Sequence, residues 1–254
     1  MTMKTARPAW RLSALAAAFA LAPLTTHVAQ ADDWAVTGTV GLTTDYVFRG
    51  ISQTDENPAI QGSIDVGHAS GFYAGVWGSN VDFVDGENIV PGDEANAEID
   101  YYGGMKGKFT DELGWDAGAL YYSYPSAASD LDYDYWEGKL ALGYSPSGMS
   151  MSPSLGLSVF YSPEFFGNIG AATYVNGSLG LKLTDIIGVS ASIGNQQFSD
   201  SGPVDYIDYK VGVRADVAGV GLELGYTDTD LDKSDCGDTD WCEGRVLFTI
   251  SKSL

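Results

Sequence analysis

The sequence predicts an all-β fold, a transmembrane antiparallel up-and-down β-barrel of about 12 strands behind a cleaved signal peptide. Three observations predict it. Apolar and polar residues alternate along segment after segment, the connections between those segments alternate in length, and the longest charge-free apolar run lies at the N-terminus. The alternation is plainest from Ala95 to Lys106, A-N-A-E-I-D-Y-Y-G-G-M-K. Successive side chains of a strand point to opposite faces, so Ala95, Ala97, Ile99, Tyr101 and Met105 share one wall. Asn96, Glu98, Asp100 and Lys106 share the other.

The N-terminal segment reads as an export signal, expected to be removed before the barrel folds. Lys4, Arg7 and Arg11 precede an uncharged run from Leu12 to Leu24, and Ala29-Gln30-Ala31 places small residues where a signal peptidase reads them. That run is well short of the ~20 apolar residues of a spanning helix. Cleavage is expected after Ala31, giving residues 1–31 as signal peptide and 32–254 as a single barrel domain. No later stretch reads as a transmembrane helix. A chain that enters a membrane without helices must close its sheet, because lipid cannot satisfy an open strand edge.

Twelve strands follow in order, with boundaries uncertain by ~2–4 residues. The first half comprises Ala35–Phe48, Ala59–Gly67, Phe72–Val81, Ala95–Lys106, Leu113–Tyr124 and Tyr133–Tyr144. The second half comprises Ser154–Tyr161, Thr173–Leu183, Ile187–Gln196, Tyr206–Ala215, Val220–Thr227 and Glu243–Ser253. Gly, Pro, Asp and Ser clusters separate them. Counts of ten or fourteen stay open, since the edges between Ser154 and Gln196 are ambiguous.

Odd-numbered links are mostly longer and acidic: Arg49–Pro58, Asp82–Glu94, Pro125–Asp132, Ser162–Ala172, Phe198–Asp205 and Asp228–Trp241. Even-numbered links are mostly shorter, as at His68–Gly71 and Asp216–Gly219. Bacterial barrels have short periplasmic turns and longer outer loops, and an even strand count returns both termini to one side.

A soluble β-sandwich also alternates, but its apolar face points inward. Here the polar faces carry Ser, Thr, Asn, Gln, Tyr and Gly with isolated charges, and most acids sit in the connections. A closed barrel of twelve strands leaves space inside, which a polar, wet lumen accommodates. Tyr46, Phe48, Trp115, Tyr121, Trp136, Tyr144 and Tyr161 fall near strand ends on the expected lipid face, where an interfacial girdle would place rings.

The presequence takes three of the 13 Lys and Arg and none of the 34 Asp and Glu, so the mature chain carries a formal charge of −24. That excludes nucleic acid as a partner, since phosphates demand the opposite sign. Cys236 and Cys242 read as a local disulfide in an exported protein.

The segment Leu42 to Phe83 carries a family resemblance. Its cues are T-D-Y-V-F-R-G-I-S-Q at Thr44–Gln53, P-A-I-Q-G at Pro58–Gly62 and S-G-F-Y-A-G-V-W-G-S-N at Ser70–Asn80. Further matches are E-I-D-Y-Y-G-G at Glu98–Gly104, G-A-L-Y-Y at Gly118–Tyr122 and Y-S-P-E-F-F-G at Tyr161–Gly167. The chain resembles the TorF porin family. The resemblance implies a Gram-negative outer-membrane β-barrel with a channel role and supplies no catalytic residues. Such barrels commonly finish on Phe, whereas this chain finishes S-K-S-L with Phe248, Ile250 and Leu254 keeping the alternating register.

Catalysis has little to build on. His68 is the one histidine beyond the presequence, and nothing in a tight turn brings Ser70 and Asp65 to it as a triad requires. No enzyme activity and no cofactor are expected. The candidate functional surface is the inner wall. Its acids are Asp45, Asp65, Glu98, Asp100, Asp116, Glu137, Asp208, Glu223 and Glu243, and its bases are Arg49, Lys139, Lys182, Lys210, Arg214 and Arg245. Charge rings set a pore's preference at close range, and the acid surplus predicts weak cation preference. The acidic last link offers a weak metal candidate at Asp228, Asp230 and Asp232, with bridging to lipopolysaccharide or plain solvation as alternatives.

The expected function is passive diffusion of small hydrophilic solutes through an outer-membrane channel. The alternative is a non-conducting outer-membrane barrel that acts as a surface-interaction or structural protein through its acidic loops. Outer-membrane lipid, lipopolysaccharide and the barrel-assembly machinery are the expected partners.

Overall fold

The computed structural model describes residues 33–82, 95–125, 127–200 and 202–254. The expected signal peptide and its cleavage site lie outside the described residues, as does most of the link 82–94. In chain order the strands are β1 (Trp34–Thr43), β2 (Val47–Phe48), β3 (Ile51–Ser52), β4 (Ala59–His68), β5 (Phe72–Asn80), β6 (Ala97–Lys108) and β7 (Leu113–Ser123). There follow β8 (Tyr135–Tyr144), β9 (Ser154–Ser162), β10 (Ala172–Lys182), β11 (Ile187–Phe198), β12 (Tyr206–Val217), β13 (Val220–Thr229) and β14 (Arg245–Ser253). All except β2 and β3 form one closed antiparallel barrel of twelve strands, each paired with its neighbours in sequence.

Closure is made by β1. It pairs with β14 from Thr39↔Ser253 to Thr43↔Thr249, and with β4 from Trp34↔His68 to Thr43↔Ala59. Leu254 extends the seam, its amide donating to the Gly38 carbonyl at 2.9 Å. The twelve strands therefore close into a ring, which removes the free sheet edges that lipid could not satisfy.

The barrel is inverted relative to a water-soluble protein. Ile64, Leu140, Ile193 and Val246 are 58–66 % exposed on the outer wall, while Glu98, Asp100 and Glu137 are 2 % exposed on the inner one. Exposed apolar residues over a closed barrel mark the surface that acyl chains cover. Rings frame this belt. Trp34, Phe72, Phe109 and Tyr144 are exposed near the terminal end, where β1 begins and β14 finishes, and Trp136, Tyr161, Tyr209 and Tyr226 near the opposite, loop end. Trp115 and Tyr121 also face outward, half-buried against Phe109 and Trp136.

Tyr46 and Phe48 do not belong to that girdle. The first strand, expected to run to Phe48, stops at Thr43, and the chain turns into the lumen. The reason is local. Val47–Phe48 pairs with Ile51–Ser52 across a turn at Arg49 and Gly50, whose φ values are 48° and 85°. Positive φ at both central residues is the requirement of the type I′ hairpin turn, whose twist matches its strands. The expected outer loop Arg49–Pro58 is therefore an inward-folded hairpin and its return.

At the terminal end the turns are held by side chains. Glu112 accepts from the Ser147 hydroxyl at 2.5 Å and the Ser147 amide at 2.7 Å. These two hydrogen bonds hold the Glu112 carboxyl below its ordinary range.

Candidate functional site: a hairpin-filled lumen

The hairpin carries Arg49 to the centre of the barrel. Its Nη2 donates to Glu137 at 2.7 and 2.8 Å, and its Nη1 donates to Gln196 Oε1 at 2.8 Å. The guanidinium carbon lies 4.3–5.9 Å from the ring centroids of Tyr174, Phe48, Phe160 and Phe165. Those are distances at which ring quadrupoles attract a cation. The strands supply these partners because Glu137, Phe160, Tyr174 and Gln196 all fall on inward positions of β8 to β11. Gly50 follows Arg49 for a steric reason as well. A Cβ there would lie 2.4 Å from Thr229 Cγ2 and 2.9 Å from Asp208 Cβ.

A cluster of rings packs around the hairpin at the loop end of the lumen. Tyr46, Trp77, Tyr122, Tyr124, Tyr135, Phe160 and Tyr174 are all buried. Tyr46 and Trp77 lie 5.2 Å apart, and Tyr122 stacks on Tyr135 at 4.4 Å. This half of the lumen is a packed core, not the wholly polar interior that alternation predicts.

Among the cavities left between the described residues, two lie in the lumen. One, of about 190 Å³, lies beneath the hairpin between Tyr46, Arg49, Trp77, Asp100, Tyr122 and Asp208. The other, of about 390 Å³, opens toward the terminal end among Thr39, Ser63, Asp65, Tyr102, Lys106 and Ser251. Trp77 lines both.

The charged residues expected on the inner wall are distributed as follows. Lys139 pairs with Asp116 at 3.0 Å, Lys210 with Glu223 at 2.8 Å, and Arg245 with Asp45 at 2.8 Å. Asp45 also accepts from Ser52 and Thr54 at 2.8 Å each, which ties the hairpin stem to β14. Asp65 accepts from Ser63 at 2.9 Å and from Tyr102, Asp116 from Tyr73 at 2.7 Å, and Asp208 from Tyr174 at 2.9 Å. Glu98 accepts from Tyr46 at 2.8 Å. Arg214 pairs with Asp216, two positions along the same wall, at 2.9 Å.

Not every expected wall residue lies within the lumen wall. Lys182 sits at the end of β10 and pairs with the exposed Asp185 at 3.1 Å. Glu243 precedes β14, which begins at Arg245, and lies in the last loop 3.5 Å from Lys233. Arg49 is likewise not on a strand but on the hairpin.

The last loop contains the Cys236–Cys242 disulfide. Its acids face different partners. Asp228 accepts from Tyr209 and Tyr226, Asp230 from the Ile207 amide, and Asp232 caps a short 3-10 helix, Lys233–Cys236. Among the described residues no three such side chains converge on a metal position, so the candidate at Asp228, Asp230 and Asp232 is not assembled. His68 does meet Ser70, at 2.6 Å, but Asp65 points into the lumen and binds Tyr102, so no triad forms.

Sequence reasoning missed Tyr46, Trp77, Tyr122, Tyr135, Phe160, Tyr174 and Gln196. The signal was present in part. Tyr122, Tyr135, Phe160 and Tyr174 all fall on inward positions once the strand registers are set, and V-F-R-G-I-S has Gly at the place a two-residue hairpin turn needs it.

A family described as "Bacterial protein of unknown function (Gcw_chp)" matches residues 28–254. That match brings neither the TorF name nor an activity. No curated protein matches the chain. Among solved structures the chain is similar to LpxR from Salmonella typhimurium, with a TM-score of 0.47 and 7 % identity, over 86 % of this chain and 99 % of that one. It is similar to the toluene transporter TodX of P. putida (TM-score 0.47, 12 % identity, 89 % and 80 % covered). OmpF of Salmonella typhi gives 0.45 and 6 %, with 87 % and 97 % covered. No function is carried across from them.

Proposed function

The chain belongs to the family described as "Bacterial protein of unknown function (Gcw_chp)", and from its own geometry we propose a narrow outer-membrane channel for small hydrophilic solutes. The observation that carries this reading is the hairpin folded inward at Arg49. A barrel serving only as a scaffold has no need to bring a loop into its own lumen and hold it there by a buried ion pair. A channel uses such a loop to set its narrowest point. The passage runs from the terminal-end cavity past Trp77 to the cavity beneath Arg49, and the packed rings beyond it make the conformation described here the closed one.

Weak cation preference belongs to the same reading. Asp65, Glu98, Asp100 and Asp208 make no ion pair among the described residues, and they outnumber Lys106, the inner-wall cation in the same position. Sites lined by one sign of charge raise the local concentration of the opposite ion. The protein is read as non-enzymatic, located in the outer membrane of a Gram-negative bacterium among lipid and lipopolysaccharide, and delivered there by the barrel-assembly machinery.

The ring cluster favours a second reading, a non-conducting barrel that acts through its acidic loops. Single-channel recording of the mature protein in planar bilayers separates the two. Small discrete steps, with a reversal potential on the cation side in a KCl gradient, support the channel. Silence in both the native protein and Arg49→Ala supports the surface role.

A further inference from the structure

Asp100 holds a buried carboxylate oxygen that has no partner among the described residues. It is 2 % exposed, it lines the cavity beneath the hairpin, and its Oδ1 has no hydrogen-bond partner in the protein. Asp100 and Glu98 lie two residues apart on β6, both buried on its inward face. Neither makes an ion pair among the described residues. The nearby Arg49 does not serve them, because its Nη1 is held by Gln196 and its Nη2 by Glu137.

The neighbours of Asp100 narrow what could complete it. Trp77 stands directly opposite on β5 and Tyr122 directly opposite on β7. All three side chains line the same cavity, with the Tyr46 ring above Trp77. Directly opposed residues have Cβ atoms roughly 4.5–5.5 Å apart, so the carboxylate lies between two ring walls. A carboxylate flanked by rings suits a cation, since ring faces and anion both attract positive charge. An orphaned acceptor needs an N–H donor, which a quaternary ammonium lacks. A hard metal ion is disfavoured, as no group of three ligating side chains converges among the described residues. The cavity, at about 190 Å³, far exceeds the roughly 10–15 Å³ one water occupies.

We propose that Asp100, between Trp77 and Tyr122, forms a binding site for a small primary ammonium compound in the cavity beneath the hairpin. Two N–H donors are satisfied there at most by Asp100 and Asp208, which lines the same cavity while accepting from Tyr174. The alkyl part lies against the rings. The inference rests on the proposed channel in one respect, that solutes reach the lumen.

The test is a binding titration on the purified, folded mature barrel in detergent, with ethylammonium chloride as probe and n-propanol as a neutral, slightly larger comparator. Calorimetry and tryptophan emission are the readouts. Saturable ethylammonium binding is expected, with n-propanol silent. Asp100→Asn keeps the shape, loses the charge, and should weaken binding by about tenfold or more. Trp77→Leu keeps the carboxylate and should weaken binding several-fold. The exposed rim variant Asp185→Asn should leave it unchanged. Folding of each variant is confirmed by heat-dependent gel mobility. Absence of saturable binding, equal binding of n-propanol, or full retention in Asp100→Asn overturns the proposal. Bilayer recordings keep the two readings apart. Binding without currents retains the site and removes the channel, whereas currents without binding retain the channel and remove the site.

Discussion

Arg49 and Glu137, 88 residues apart in sequence, form an ion pair at 2.7 Å with both side chains almost fully withdrawn from water. A buried pair is costly to form and more costly to break, because removing one partner leaves the other charged and unsolvated. Arg49→Ala should therefore destabilise the barrel by about 3–5 kcal/mol. The Arg49→Ala/Glu137→Gln double variant should recover part of that loss, since no orphan anion remains. Denaturant melts in detergent measure both. In bilayers each variant should raise conductance relative to the native protein, because the hairpin tip has lost its anchor.

Gly50 provides a sharper test of hairpin docking. At φ 85° an added methyl would be strained, and it would also meet Thr229 at 2.4 Å. Gly148 has φ 74° in a terminal-end turn with nothing within 4 Å. Gly148→Ala should cost only the backbone term, about 1–2 kcal/mol. Gly50→Ala adds overpacking of about 1–3 kcal/mol and should undock the hairpin. If the two variants melt alike, the tip is not seated against β13.

The last loop clamps that hairpin. The Trp241 indole donates to Asp55 at 2.8 Å, the Ser52 amide donates to the Trp241 carbonyl at 2.9 Å, and Thr229 Oγ1 donates to the Cys242 carbonyl at 2.8 Å. The disulfide spans six residues, and so short a loop gives about 2 kcal/mol at most in the chain-entropy account. Cys236→Ser/Cys242→Ser should leave the barrel folded. Its effect should appear as faster amide exchange at Ser52 and as noisier currents.

How far the fold was legible follows from what encodes each part. A spanning strand is written in a period of two, and β4, β7 and β9 begin at Ala59, Leu113 and Ser154, where that period begins. The inward hairpin is not written that way. Thr44 to Phe48 continues the alternation of β1, so periodicity alone carries Tyr46 and Phe48 on to the lipid face. What reverses them is the turn at Arg49-Gly50, a signal of two residues, together with partners on β8 and β11 that no local pattern reveals. The wall charges were legible for the same reason as the strands. Their partners were not, because Arg49–Glu137 and Asp45–Arg245 depend on which strands face one another across a closed cylinder.

Leu140 tests the inversion on which the lipid-facing assignment depends. It lies on β8, 66 % exposed on the outer wall, with Lys139 and Ala141 pointing the other way. Leu140→Arg should cost about 2–4 kcal/mol in a bilayer, the range for a cation near the midplane. The same substitution on a water-facing surface would fall within about 0.5 kcal/mol. Reversible folding into vesicles measures the difference.

Glu112 gives the pH dependence with its sign. The Ser147 hydroxyl and amide hydrogen bonds hold its folded-state pKa below the ordinary value. A depressed carboxylate contributes its stabilisation above the unfolded pKa and loses it as pH falls through the folded one. The link between the turns before β7 and before β9 should therefore hold from neutral pH down past the usual carboxylate range, near 4, and loosen only in stronger acid. Glu112→Gln should remove that acid transition while leaving the barrel closed. The Ser147 amide reports it directly in a detergent micelle. Its exchange should stay slow at neutral pH in the native protein and accelerate below the carboxylate range, and it should be fast at every pH in the variant. A Ser147 amide equally protected in both proteins would show that the backbone bond from Ser145 to the Glu112 carbonyl, at 2.9 Å, holds the turns without the side chain.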